Sequence, residues 1–90
     1  MKKKIHIVVT GKVQGVGFRY WLYQIANEKN VYGWVKNINT NEVEAVFLGE
    51  EKKVDEIIKL CRKGPTSSNV ASVKIEDYQQ EYTNKSFDIL

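Results

Sequence analysis

The chain holds one cysteine and one histidine, Cys61 and His6, in 90 residues. A lone cysteine excludes an internal disulfide, as expected for a reducing compartment. The two residues together cannot supply the four ligands of a structural zinc site. Long apolar runs are missing too, and none approaches the ~20 residues that span a bilayer. Ile5 to Val9, behind the basic start Met1-Lys2-Lys3-Lys4, is too short for a signal-peptide core. The expectation is therefore a cytoplasmic chain with no membrane partner. No charge sign dominates. A net charge of +3 mildly favours anionic ligands without marking a nucleic-acid binder. Internal repeats, low-complexity tracts and linkers are absent, so one domain over 1–90 is expected. A domain of that size buries only roughly 60–65% of the surface its unfolded chain exposes, which leaves a modest stability margin.

What is present is periodic. Ile5, Ile7 and Val9 alternate with His6 and Val8, which predicts a strand ending at Thr10. Gly11 to Gly17 is too rich in glycine to continue that strand and too apolar for a solvated linker. Phe18, Trp21, Leu22, Ile25 and Ala26 have amphipathic-helix spacing, and Asn27 to Asn30 ends the helix. Val31–Ile38 and Val43–Leu48 read as strands joined by Asn39-Thr40-Asn41-Glu42, an antiparallel hairpin. Val54, Ile57, Ile58 and Cys61 share one face of a second helix. Glu50 and Glu51 open it, Lys59, Arg62 and Lys63 close it, and Gly64-Pro65 stops it. Val70–Glu76 alternates as a fourth strand after the polar loop Thr66-Ser67-Ser68-Asn69, and a short strand is expected around Phe87 and Ile89. The order βαββαβ plus a terminal strand predicts an α+β, ferredoxin-like sandwich: a mostly antiparallel sheet with both helices on one face. Many functions share that fold, so function has to come from a site.

The loop after the first strand carries the chemistry. Gly15 and Gly17 let successive N–H groups turn toward one centre. The helix that begins near Phe18 adds its unpaired N-terminal N–H groups. Arg19 lies in that first turn, where a cation is unfavourable by roughly 0.3–1 kcal/mol unless an anion sits between. An arginine fork gripping phosphate resolves the conflict. The plainer alternative is a tight turn beside a solvated arginine. A Rossmann loop would need glycine where Tyr20 stands, and a Walker loop would need Gly-Lys-Ser/Thr.

Gly11-Lys12-Val13-Gln14-Gly15-Val16-Gly17-Phe18-Arg19 resembles the signature of the acylphosphatases, and Gly33-Trp34-Val35-Lys36-Asn37 resembles their second signature. Ala26, Val43-Glu44, Gly64-Pro65 and Phe87-Asp88-Ile89 also fall where that family has similar residues. Asn30 stands where the family often has glycine, and Thr40-Asn41 replaces a common Asp-Gly, which leaves the turn type open. The resemblance implies metal-free hydrolysis of a carboxylic–phosphoric anhydride to a carboxylate and phosphate. It implies Arg19 as the phosphate-binding arginine and Asn37 as the water-positioning asparagine. The cradle would comprise Gln14, Gly15, Val16, Gly17, Phe18 and Arg19. No cofactor or metal is expected. The expected partners are a small-molecule acyl phosphate, with inorganic phosphate or sulfate as ligands, and the expected state is a monomer.

The chemistry suits these residues. A carboxylate leaving group, whose conjugate acid has a pKa of about 4, departs without a general acid. Phosphoryl transfer then depends on positioning and on charge stabilisation at the equatorial oxygens. Other residues read as structural: Cys61 as packing, His6 as a strand residue without a partner cluster, and Tyr20, Trp21 and Tyr23 as core and rim. Trp34 is at most a pocket-mouth residue, and Lys12 and Lys2–Lys4 are solvated. An RNA-recognition module shares the βαββαβ order, but Val43-Glu44-Ala45-Val46-Phe47-Leu48 lacks its aromatic run. A second alternative is an accessory domain that senses phosphate or handles carbamoyl phosphate, like the acylphosphatase-like segments of hydrogenase-maturation proteins. The length of 90 residues sets the expectation of a free-standing enzyme.

Overall fold

Alternation of apolar and polar residues builds a sheet with one face covered by helices. In the computed structural model, which describes residues 1–90, the elements run β1 (Lys2–Lys12), α1 (Phe18–Glu28), β2 (Tyr32–Asn39), β3 (Glu42–Glu50), α2 (Glu51–Lys63), β4 (Asn69–Asp77) and β5 (Phe87–Ile89). The strand order is β4-β1-β3-β2-β5. All neighbours are antiparallel except β2 and β5. Ile5, Ile7 and Val9 of β1, Val35 of β2, and Val43, Ala45 and Phe47 of β3 point to the same side. There they pack with Phe18, Leu22 and Ala26 of α1 and Val54, Ile57, Ile58 and Cys61 of α2. Both helices therefore lie on one face, as the periodicity predicts. Phe87 stacks on Phe47 with ring centroids 6.0 Å apart, which ties β5 into this core. Burial pushes the Cys61 thiol up to about 12, so it is a packing group and not a nucleophile.

Three local expectations need correction. Strand β1 does not stop at Thr10. It continues through Gly11 and Lys12, paired with Val70 and Asn69 across a register shift between Thr10 and Gly11. Glycine is what permits this: Gly11 has φ 137, and a Cβ there would lie 2.2 Å from the Asn69 carbonyl oxygen. Glu50 ends β3 and caps α2, so only Glu51 stands in the first turn. The connection between β2 and β3 is two residues, Thr40-Asn41, shorter than the four expected. Asn30, just past the end of α1, has a left-handed φ of 58, a conformation that glycine adopts freely and asparagine tolerates.

The opposite face of the sheet is not bare. Residues 78–86 cross it from the β4 edge to the β5 edge. The Tyr78 N–H donates to the Lys4 carbonyl (3.2 Å), Lys4 Nζ donates to the Gln80 carbonyl (3.0 Å), and the Tyr82 hydroxyl donates to the Gly33 carbonyl (2.8 Å). Beneath this crossing Val46, flanked by His6 and Trp34 on adjacent strands, is 0% exposed. His6 has partners after all. Its Nε2 lies 2.6 Å from Glu44 and its Nδ1 3.6 Å from Glu76, and its ring stacks on Tyr78. No helix is long and apolar enough to cross a membrane.

Candidate active site

The loop between β1 and α1 departs from the sheet at Val13, which is buried. It turns through Gly15 (φ 71) and Gly17 (φ 74). A Cβ on either glycine would meet nothing within 4 Å, so glycine is needed for the left-handed backbone and not for space. Gly17 is the N-cap of α1 and offers no side-chain cap. Its carbonyl accepts from the Trp21 N–H (2.9 Å), which leaves the amides of Phe18, Arg19 and Tyr20 without an intrahelical acceptor. The first turn contains no acidic residue. Arg19 is half-buried and takes no part in the ion pairs of the molecule.

Asn37 reaches the same place by strand alternation. Gly33 and Val35 face the helices, and Asn37 continues that row past the end of the core, opposite Val43. A register shift between Asn37 and Asn39 follows immediately, and such a bulge bends a strand end and re-aims its side chains. Ile89, level with Val35 on β5, extends the same row on the outer side. The result is a cavity of about 180 Å³ whose wall includes Gln14, Gly15, Gly17, Phe18, Arg19 and Asn37.

Five of the six expected cradle residues line it together with Asn37. Val16 does not; it is partly buried against the core. Trp34 and Lys36 lie on the far face of the sheet, where the Lys36 ammonium sits 5.3 Å from the Trp34 ring centre. Val13, Tyr20 and Ile89 complete the wall and were not expected there. Ile89 (40% exposed) and Tyr20 (59%) leave apolar surface open beside Arg19. The one sequence signal for Ile89 is that Phe87-Asp88-Ile89 falls where the family has similar residues, which does not by itself place it in the cavity wall. The Gln14 carboxamide is engaged with the hairpin: its Nε2 donates to the carbonyls of Asn39 and of Glu42 (3.3 Å). No carboxylate or imidazole lines the cavity.

Fold and site together define a class, a ferredoxin-like sandwich with a cavity at the N-terminus of its first helix. Comparison with known proteins narrows it. The acylphosphatase family profile matches residues 5–89. A Chlorobaculum tepidum acylphosphatase is 37% identical over 89 residues, covering 99% of this chain and 97% of that protein. The crystal structure of the Bacillus subtilis acylphosphatase superposes with a TM-score of 0.91 at 30% identity, covering 100% of this chain and 99% of that one. Thermococcus kodakarensis HypF contains a similar fold as 12% of its chain, with a TM-score of 0.84 at 33% identity over 100% of this chain. The chain belongs to the acylphosphatase family, and it is an enzyme whose family and fold support the hydrolysis of acyl phosphates.

Proposed function

We propose that this enzyme hydrolyses the carboxyl–phosphate bond by in-line attack of a water held by Asn37 on a phosphoryl group held by Arg19 and the amides of residues 14–19. The reading rests on one observation: Arg19, the glycine loop and Asn37 line a single cavity. The loop amides and the guanidinium face the equatorial oxygens, where charge develops in the transition state. Asn37 both donates and accepts hydrogen bonds, so it can orient a water without acting as a base. The water oxygen forms the new P–O bond while the bond to the acyl oxygen breaks. The carboxylate leaves unprotonated, and the water's proton passes to a phosphate oxygen of the substrate, since no carboxylate or imidazole is at hand. The charge work falls to Arg19 and the amides, with no step assigned to a metal.

The test is hydrolysis of a generic acyl phosphate in excess EDTA, with inorganic phosphate or sulfate as inhibitor. Turnover should survive the chelator, and the anion should raise KM without lowering kcat. Activity lost to EDTA and restored by magnesium would sink the mechanism. Phosphate monoesters should be poor substrates, because an alkoxide needs a proton that no residue in the cavity is placed to give.

A further inference from the structure

The carboxamide of Gln14 is spent on the hairpin, which gives this side chain a task distinct from holding phosphate. Its two N–H groups reach both strands at the mouth of the β2–β3 turn, Asn39 on β2 and Glu42 on β3. The same turn is drawn toward β1 by two more bonds. The Gly11 N–H donates to the Asn41 carbonyl (2.9 Å), and the Thr10 hydroxyl donates to Glu42 (3.2 Å). Inside the turn, Asn39 Nδ2 donates to Glu42 (2.6 Å) and the Asn39 side-chain oxygen accepts from the Asn41 N–H (3.1 Å). Asn37 stands at the bulge beside this cluster. A bulged strand end next to an exposed turn is where a hairpin frays most easily. Apolar packing does not hold it, since Lys36 to Asn41 are all exposed. Of these bonds, those from Gln14 start in the loop that leads into Arg19 at the first turn of α1.

We propose that Gln14 is a positioning residue: it staples the hairpin to the phosphate loop and thereby fixes where Asn37 stands relative to Arg19. The inference rests on the roles given above to Arg19 and Asn37. Two groups that must address one phosphorus from different elements need a direct mechanical link, because an error of about 1 Å in such an arrangement costs about a hundredfold in rate. The main core reaches the hairpin only as far as Val35 and Val43 and does not reach its turn. The Gln14 carboxamide does.

Gln14→Met keeps length and bulk and removes both donors; Gln14→Leu is the second variant if the first folds poorly, as judged by circular dichroism. Turnover should fall by about 10- to 100-fold, while the inhibition constant of inorganic phosphate stays within about threefold. In an Asn37→Ala background the same substitution should cost less than about threefold, because an effect exerted through Asn37 cannot be lost twice. Backbone amide NMR shifts should move at Asn37 to Glu42 more than elsewhere in the hairpin and the core. A phosphate constant that worsens in step with turnover would make the Gln14 side chain part of the cradle and overturn the proposal. So would turnover losses that multiply in the double variant, or turnover that does not change. Should Asn37→Ala alone leave turnover intact, the reading of Asn37 fails and takes the catalytic half of this inference with it. Unmoved hairpin shifts beside a crippled Asn37→Ala enzyme sink the staple alone.

Discussion

Helix α2 carries Glu51 in its first turn and Arg62 and Lys63 in its last, so both ends suit the field of its aligned peptide dipoles. Helix α1 has no acidic residue in its first turn and no basic residue in its last, and it puts Arg19 where a cation is repelled. The two helices share one core and have similar lengths, so packing does not account for the difference. One is written for stability. The other has an N-terminus left with free amides and a cation of the wrong sign, an arrangement that an anion bound between them would make favourable. The comparison teaches that a local violation of a stability rule, met by a loop that can turn its amides inward, is a better pointer to the site than either helix's apolar pattern.

Removing the offending cation should break the contrast most severely. Arg19→Ala deletes a charge-assisted, fork-shaped contact of roughly 1.5–3 kcal/mol. Phosphate inhibition should weaken by about ten- to a hundredfold, and turnover should fall by about three orders of magnitude. Steady-state kinetics with phosphate as inhibitor reads both. Retained turnover would return Arg19 to an ordinary surface role.

Asn37→Ala tests whether the cradle and the water site are separable. It leaves the α1 amides and Arg19 intact, so turnover should drop by about a hundredfold while the phosphate inhibition constant barely changes. If affinity collapses together with turnover, Asn37 belongs to the cradle instead.

The smallest effects sharpen the comparison of the helices themselves. Without ligand, Arg19→Ala should leave the fold equally stable or raise its stability by about 0.3–1 kcal/mol, whereas Glu51→Ala should lower it by a similar amount. Urea unfolding measures both. Added phosphate should reverse the ranking at the α1 end, stabilising the wild type by about 2.7 kcal/mol at a hundred times its dissociation constant and stabilising Arg19→Ala far less. Equal stabilisation of the two proteins would place the anion elsewhere.

The element order was legible because each element has its own period: Ile5, Ile7 and Val9 at two residues, and Val54, Ile57, Ile58 and Cys61 at three to four. The glycine loop was legible as a candidate site because Gly15, Gly17 and Arg19 are neighbours in the chain. Asn37 was legible only through the resemblance of Gly33 to Asn37 to a family signature, since an asparagine in a strand has no local mark of function. What escaped was non-local. The partners of His6 come from β3 and β4, and the acceptors of Gln14 come from the far side of the site. Glycine misled at Gly11: a residue that weakens a flat strand can carry a bulged one.

Strand β5 has β2 as its sole neighbour in the sheet, and the chain reaches it only after the 78–86 segment has traversed the face remote from the helices. Yet Ile89 forms part of the cavity wall, so the pocket gathers groups from Val13 to Ile89. During translation, at about 5–20 residues per second, the glycine loop, Arg19 and Asn37 leave the ribosome seconds before that wall can close. Contacts so distant along the chain also slow folding, because loop-closure entropy is lost before the contact forms. A nascent β1–α1–β2–β3 unit therefore holds Arg19 and Asn37 with one side of their cavity still open, and the wall closes only once β5 has paired with β2.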